Sequence, residues 1–244
     1  MAKLIGLAGP SGSGKSTSFR NLLPEETFII TPTKTDELNP HDYKKVDKKG
    51  ENGNLYVTKD MNKMKKLRDK VATDEHYKHV KYLILEDQTH LFNDLTQSPA
   101  FRARNKGNEA FARWADFGAT YANALLKGVE NFRHDLFIIV CFHVEETMTA
   151  DGPKLKLKTP GTLLEREIDI PSYFTYFLYT KVIPVDRTDP QPPQERYKFV
   201  TNDDGHTPAK TKFGAFDELY IPNDMMQVVN RITELDAPQT KVEQ

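Results

Sequence analysis

The residues that most constrain this chain lie near its start, where a short apolar run leads into a glycine-rich loop. The run LIGLA over residues 4–8 predicts a buried strand, and the next eight residues read GPSGSGKS. This is the pattern G-x-x-x-x-G-K-[ST], in which glycines let backbone N–H groups turn inward around a polyphosphate. The helix-like segment predicted over 16–23 would present its N-terminus to the same anion. An ordinary Gly/Ser turn would not need every position filled in register, so the loop predicts triphosphate binding.

The residue types of this loop each have a chemical reason. We expect Lys15 to reach the β and γ phosphates, and Ser16 to offer its hydroxyl to Mg²⁺, which needs only one or two protein ligands beside the phosphates. Thr17 either adds a phosphate contact or only starts the helix. The residues expected to bind ATP are Gly9, Pro10, Ser11, Gly12, Ser13, Gly14, Lys15, Ser16 and Thr17.

Composition limits the class of protein without naming a partner. The chain has 244 residues, with 34 Lys+Arg against 35 Asp+Glu, so it shows no overall affinity for nucleic acid or membranes. Its single cysteine, Cys141, excludes an intrachain disulfide framework and a Cys-rich zinc site. With no signal peptide or long apolar span in the sequence, we expect a cytoplasmic protein with no membrane partner. We predict a single α/β domain over 1–235, a polar excursion at about 34–59, and a flexible tail over 236–244.

A second candidate site element follows the apolar run over residues 80–85, which ends in Glu86 and Asp87. In a parallel sheet, ligands bind beyond the carboxyl ends of the strands, so these acids would emerge beside the loop. We expect one acid to hold the Mg²⁺ shell, directly or through water, and the other to orient or deprotonate the attacking water. Counting along the strand favours Glu86 for the metal, although the order could be reversed. The alternative is an ordinary acidic strand end.

Three further residues are candidates for the catalytic site. His143 follows a buried strand over 135–142 and either contacts the γ phosphate or is structural. Lys210 and Lys212 lie two positions apart after a hairpin, and side chains at that spacing point the same way in an extended segment. They are either solvated charges or reach a neighbouring subunit's γ phosphate. A basic cluster at Lys44, Lys45, Lys48 and Lys49 is either a solvated flap or a patch for a phosphate backbone or a neighbouring subunit.

The remaining pattern predicts the elements that carry these residues. Asp60 is expected to cap a helix over 61–73, followed by an irregular polar stretch over 88–106 and a long helix over 108–131. The residues after His143 predict a β-excursion around Asp151 and Gly152. Strands are expected over 27–30, 173–182 and 196–201, and a closing helix over 225–235.

The order of these parts resembles the RecA-like branch of phosphate-loop ATPases. More closely, several segments look like a family of phage-encoded RecA-like ATPases associated with single-strand annealing and recombination. The segments that carry this resemblance are Leu85-Glu86-Asp87, the helix around Trp114, Phe142 to Glu146, Thr159-Pro160-Gly161, Thr201 to Gly205, Ala209-Lys210 and Ile221 to Asp224. The resemblance implies a mainly parallel sheet flanked by helices, with antiparallel strands added toward the C-terminus.

The same resemblance implies a function and residue roles. Lys15 and Ser16 would contact phosphate and Mg²⁺, Glu86 and Asp87 metal and water, and His143 would sense the γ phosphate. Lys210 and Lys212 resemble the paired lysines that RecA-type filaments place in trans, which implies a homo-oligomer. The implied function is ATP hydrolysis coupled to single-stranded DNA in phage recombination or replication, in the cytoplasm of a host bacterium.

Two departures from the family pattern leave a second function open. Family members usually carry Asp where Glu86 stands, and RecA has a catalytic Glu after its second strand, where only Glu37 could serve here. The alternative is an oligomeric assembly or regulatory protein that binds nucleotide with little turnover. A small-molecule kinase would need an arginine-rich lid, and Arg102, Arg104 and Arg113 are too scattered to argue for one.

Overall fold

The computed structural model describes residues 1–33, 43–46, 52–184, 188 and 193–237. An eight-stranded sheet runs in the order β10-β9-β8-β1-β5-β4-β2-β3, and a separate hairpin pairs β6 with β7. The strands are β1 Lys3–Ala8, β2 Thr27–Thr31, β3 Leu55–Val57, β4 Tyr82–Leu85, β5 Phe137–Phe142, β6 Val144–Thr149, β7 Gly152–Leu157, β8 Tyr176–Val182, β9 Tyr197–Val200 and β10 Tyr220–Pro222. The helices are α1 Met61–Thr73, α2 Gln88–Thr96, α3 Pro99–Ala103, α4 Glu109–Tyr121, α5 Thr162–Glu167 and α6 Met225–Asp236.

The sheet is parallel from β8 to β3 and antiparallel where β9 and β10 are added. The central strands β1, β4 and β5 are almost wholly apolar because both faces of a parallel sheet are covered. One face packs on α1 and α4 and the other on α6, through residues such as Met64, Phe117 and Val228. The predicted class is therefore confirmed as an α/β fold with a mostly parallel sheet, flanking helices and antiparallel strands toward the C-terminus.

Several predicted elements are confirmed with their local causes. Helix α1 spans the predicted residues, and the Asp60 side chain accepts hydrogen bonds from the backbone N–H groups of Asn62 and Lys63. The excursion after His143 is the β6–β7 hairpin, which turns at Asp151 and Gly152, and Gly152 has a φ of +111°. Strands β2, β8 and β9 lie inside or within one residue of their predicted bounds, as does α6.

Two predicted helices differ from the structure in type or length, and one stretch predicted to be irregular is helical. The segment after the loop is a short 3₁₀ helix, Ser16–Phe19, because Ser18 turns its hydroxyl back to the Lys15 carbonyl and Arg20 N bonds to Thr17 O. The stretch over 88–106 is not irregular, since α2 and α3 occupy much of it. The helix predicted over 108–131 is α4 followed by a π-helical turn that ends at Leu126, before Gly128 at a φ of +84°.

The polar excursion predicted at about 34–59 includes a parallel edge strand that the sequence reasoning did not predict. β3 pairs in parallel with β2, and Lys45 forms a bridge to Leu55. Predictions about Glu37, Lys48, Lys49 and the tail beyond Ala237 lie outside the described residues. No helix in the described part of the chain is both long and apolar enough to cross a membrane.

Candidate functional site

The parallel register brings the predicted site residues to one edge of the sheet. Ala8 at the end of β1 pairs with Phe142 at the end of β5, and Leu85 on β4 pairs with Val140. The chain therefore leaves these three neighbouring strands at Gly9, Glu86 and His143, on the same edge. The backbone N–H of Gly9 also donates to Phe142 O at 3.2 Å, which ties the start of the loop to the strand that carries His143.

The glycines of the loop are required by its conformation. Gly12 and Gly14 have φ values of +72° and +94°, in the left-handed region that favours glycine. A Cβ atom at Gly9 would lie 1.8 Å from Thr180 Oγ1 on β8. Ser13 Oγ contacts Pro10 O at 2.6 Å and Thr180 Oγ1 at 2.5 Å, so β8 supports the loop from the side opposite β5.

Lys15 lies inside the loop and is 8% exposed. Its ammonium donates to the carbonyl oxygens of Gly9 and Pro10, both at 2.8 Å, and lies 3.4 Å from His143 Nδ1. A cation fixed in this way is the group that a polyphosphate would require at the centre of the loop.

Ser16 and Glu86 join the loop to the end of β4. Ser16 Oγ donates to Glu86 Oε1 at 2.9 Å, and Glu86 is 8% exposed. Burial raises the pKa of the Glu86 carboxyl, opposed by the Cys141 thiol, by Ser16 and by the Lys15 charge. Oε2 is buried and accepts no hydrogen bond of normal geometry from any described residue. An oxygen in this state is suited to an additional cationic ligand.

Asp87 and His143 extend the site beyond Lys15. Asp87 has a φ of +52°, and its Oδ1 accepts from His90 N at 3.3 Å, which caps α2. His143 Nε2 lies 3.5 Å from Asp87 Oδ1, and His143 N donates to Thr89 Oγ1 at 2.9 Å. Burial would raise the pKa of the Asp87 carboxyl, but the hydrogen bond and charge of His143, with His90, outweigh it and hold that pKa below 3.8.

Lys15, His143 and Asp87 form a chain of contacts. Lys15 Nζ lies 3.4 Å from His143 Nδ1, and His143 Nε2 lies 3.5 Å from Asp87 Oδ1, so the imidazole bridges the ammonium and the carboxylate. Asp87 stays ionised at neutral pH because its pKa is lowered. Lys15, His143 and Asp87 thus lie in sequence beside the loop, with the ammonium at one end and the carboxylate at the other.

The donor set suits Mg²⁺ bound together with phosphates. The described residues contain no group of three or more His, Cys, Asp or Glu side chains that could hold a metal alone. Ser16 Oγ and the Glu86 carboxylate are hard oxygen donors, and Mg²⁺ is usually held by one or two protein ligands, phosphates and water. Ser16 and Glu86 are therefore the residues that could hold it.

The structure does not bring Lys210 or Lys212 to the loop. Lys210 pairs through its backbone with Phe177 on β8, at N···O distances of 2.7 and 3.0 Å. Phe177 is in register with Gly6, which precedes the loop by three residues. Both lysine side chains are exposed.

Three residues near the loop were missed by sequence reasoning. They are Thr180, Tyr197 and Asn223, which lie on β8, on β9 and directly after β10. The sequence signal for Thr180 is a hydroxyl near the end of an aromatic strand, and for Asn223 a polar pair with Asp224 at a helix start. Neither pattern indicates proximity to the loop, because that depends on the antiparallel return of β9 and β10.

Neither the protein-family models nor the curated proteins searched with this chain gave a match.

Proposed function

We propose that this chain is a Mg²⁺-dependent ATPase of the RecA-like phosphate-loop class, acting on single-stranded DNA in phage recombination or replication in the bacterial cytoplasm. The observation that carries the proposal is the 2.9 Å hydrogen bond from Ser16 Oγ to Glu86 Oε1. It joins the end of the glycine-rich loop to the acid that follows β4, a parallel strand separated from β1 only by β5. In phosphate-loop ATPases a loop hydroxyl and a strand-end acid of this kind hold the Mg²⁺ that neutralises the phosphates.

The residues of the site fit distinct roles in this reaction. When ATP binds, the Lys15 ammonium donates to the β and γ phosphates instead of to the carbonyl oxygens of the loop. The backbone N–H groups around Gly12 and Gly14 surround the phosphate chain. Asp87 is ionised and orients or deprotonates the attacking water. His143, fixed between Lys15 and Asp87, contacts the γ phosphate. The Mg²⁺ ion held by Ser16 and Glu86 would supply charge neutralisation on the phosphates.

The DNA substrate is supported by the resemblance alone, and the oligomer by the resemblance together with one feature of the surface. Lys210 and Lys212 are exposed, and both have charges available to a neighbour. A cation from an adjacent subunit would stabilise charge on the transferring phosphoryl group. In this proposal the loop is one half of a site shared between subunits.

A second candidate is a nucleotide-binding assembly protein with little turnover. The observation that favours it lies in the sequence after β2, where residues 31–37 offer no clear counterpart of the catalytic glutamate of RecA other than Glu37. Binding of ATP would then hold an oligomer together without rapid hydrolysis.

The first test compares ATP turnover with and without single-stranded DNA, beside a measurement of mass with and without ATP. We expect DNA to stimulate turnover in the wild type, and Lys15→Ala to reduce turnover by about 100-fold or more, since it removes a cation from the phosphate site. Lys66→Ala, at an exposed position on α1, is the matched control and should retain turnover. Lys15→Ala turnover equal to wild type would contradict the ATPase, while nucleotide-dependent mass without turnover would favour the assembly protein.

The second test asks whether the site is shared. Lys210→Ala is expected to lose hydrolysis but keep ATP binding, because its cation would act on a neighbour's nucleotide. Mixing it with Lys15→Ala creates some interfaces that combine an intact loop with an intact Lys210, so part of the activity should return. A mixture that assembles normally and stays inactive would exclude the role of Lys210 in trans.

A further inference from the structure

An unsatisfied carboxamide lies beside the loop, on the side away from the acids. Asn223 is 3% exposed, and neither its Oδ1 nor its Nδ2 has a hydrogen-bond partner among the described residues. A Cβ atom placed on Gly14 would lie 3.3 Å from Oδ1 and 3.4 Å from Nδ2, so the carboxamide faces the loop. Buried polar groups are normally paired, because leaving one unpaired costs the free energy of its desolvation. An unpaired donor and acceptor at this position indicate a ligand.

The backbone of Asn223 is firmly held, so the free carboxamide is not the result of a loose segment. Asn223 N donates to Tyr197 O at 3.3 Å, and Arg20 Nη1 donates to Asn223 O at 2.5 Å. Its neighbour Asp224 accepts from Asn21 Nδ2 at 2.7 Å and caps α6 through Met226 N at 3.0 Å. These hydrogen bonds fix the backbone at Asn223, and none of them uses its carboxamide.

An aromatic ring flanks the same glycine. A Cβ atom on Gly14 would lie 2.8 Å from Cδ1 of Tyr197, so the ring and the Asn223 carboxamide both border Gly14. Tyr197 is half-buried, and its ring offers a surface on which a base can stack. An aromatic face beside an unpaired carboxamide is a combination that suits a nucleobase.

The position of this pair agrees with the direction of a bound triphosphate. The acids and His143 lie on the β4 and β5 side of β1, whereas Tyr197 and Asn223 lie on the β9 and β10 side. A triphosphate whose terminal phosphate faces Glu86 and His143 would extend past Gly14 toward Tyr197 and Asn223. Its nucleoside end would therefore reach them.

We propose that Tyr197 and Asn223 form the nucleobase pocket of this protein, and that Asn223 selects adenine over guanine. This inference rests on the proposed triphosphate binding at the loop. A carboxamide offers one acceptor and one donor side by side, and adenine presents the matching donor N6 and acceptor N7. Guanine presents two acceptors, O6 and N7, on the same edge and would leave Asn223 Oδ1 unpaired.

The test is calorimetric titration with ATP, GTP and inorganic tripolyphosphate in the presence of Mg²⁺. The wild type should bind ATP about 10- to 100-fold more tightly than GTP, the discrimination expected of one bidentate pair. Asn223→Leu should bring the ratio of the two Kd values close to one. Asn62→Leu, at an exposed position on α1, is the matched control and should keep the wild-type ratio.

Two further measurements separate recognition from a structural role. Asn223→Leu should melt no lower than wild type, because it replaces two unsatisfied buried polar atoms with apolar ones. Tyr197→Ser should weaken ATP and GTP by a similar factor, of about 10-fold, because stacking does not depend on the identity of the base.

The outcomes distinguish this inference from the function on which it rests. Wild-type protein that binds tripolyphosphate, ATP and GTP with equal affinity would refute base recognition and leave the phosphate loop intact. Absence of binding to all three would refute both. An Asn223→Leu protein that melts well below wild type, with its ATP to GTP ratio unchanged, would assign Asn223 a purely structural role.

Discussion

The two sides of the phosphate loop differ in how their polar groups are satisfied. On the β4 and β5 side, His143 lies 3.4 Å from Lys15 Nζ and 3.5 Å from Asp87 Oδ1, and Lys15 also donates to two loop carbonyls. On the β9 and β10 side, both polar atoms of Asn223 are buried and unpaired among the described residues. The first side is organised by the protein's own contacts, and a ligand must exchange them. On the second side, the unpaired polar atoms of Asn223 destabilise the fold, and a ligand that formed hydrogen bonds with them would remove that destabilisation.

On the acid side, one oxygen of Glu86 is unpaired in the same way as the polar atoms of Asn223. Glu86 Oε2 is buried and accepts no hydrogen bond of normal geometry from a described residue, although Oε1 is held by Ser16. Unpaired polar atoms thus lie both beside Ser16 and beside Gly14. These are the positions where the metal and the base of a bound nucleotide are proposed to lie.

The largest expected effect comes from removing the charge of Glu86. Glu86→Gln keeps an acceptor for Ser16 but cannot supply a carboxylate, so ATP turnover should fall by about 100-fold. The same change should raise the melting temperature, by about 2–4 °C for each kcal/mol gained, because burial already disfavours the ionised carboxyl. Turnover assays and thermal denaturation measure the two effects on one preparation.

Glu130→Gln, at an exposed position after the π-helical turn, is the control for Glu86→Gln and should change neither property. If Glu86→Gln kept full turnover, the metal role would have to pass to Asp87. A fall in melting temperature would show that Glu86 stabilises the fold as an ion, contrary to the effect of its burial.

A smaller effect, on the melting temperature, is expected from substituting Asp204, which forms hydrogen bonds that hold β10 in place. Asp204 Oδ2 accepts from Lys181 Nζ at 3.0 Å and from Tyr220 Oη at 2.9 Å, and Oδ1 accepts from Thr207 N at 2.6 Å. Burial would raise the pKa of Asp204, but these partners outweigh it and hold that pKa far below 3.8. Tyr220 lies on β10, three residues before Asn223, so this cluster fixes the strand that positions the proposed base pocket.

The pH dependence of Asp204 follows from the direction of its shift. A carboxyl with a lowered pKa stabilises the fold above about pH 4, and this contribution is lost as the pH falls through the folded-state pKa. Asp204→Asn should therefore lower the melting temperature at pH 7 by several degrees, since charge-assisted hydrogen bonds contribute about 1.5–3 kcal/mol each. The difference from wild type should shrink as the pH is lowered below 4 in thermal denaturation. Asp116→Asn, an exposed control on α4, should show a much smaller difference at pH 7.

The fold on the acid side was more accessible to sequence reasoning than the fold on the other side. Apolar runs ending in Glu86 and His143 predict parallel strands, and parallel strands place their ends together without any further information. Asn223 reaches the loop only through two antiparallel returns, whose register depends on contacts far apart in the sequence. No local pattern reports that kind of proximity.

Local chemistry also explains the errors in secondary structure. The stretch after Asp87 is rich in polar residues, yet Leu91 and Phe92 are fully buried and the Asp87 side chain caps the helix. The left-handed backbone of Asp87 permits that cap and is not evident from residue type. The edge strand β3 has only three residues, which is too short for a periodic signal.

The smallest expected effect tests whether β8 supports the loop. Ser13 has one hydroxyl proton, and if it is donated to Pro10 O, then Thr180 donates to Ser13 Oγ at 2.5 Å. Thr180→Val keeps the shape of the buried side chain and removes that donor, which should cost about 1 kcal/mol and lower the melting temperature by about 2–4 °C. Tripolyphosphate affinity should fall only a few-fold, because Lys15 and the backbone N–H groups remain. Thr120→Val, exposed on α4, is the control. If Thr180→Val and Thr120→Val melted at the same temperature, the loop would hold its conformation without β8. If Thr180→Val lost as much tripolyphosphate affinity as Lys15→Ala, the phosphate site would depend on β8 and not on the loop's own contacts.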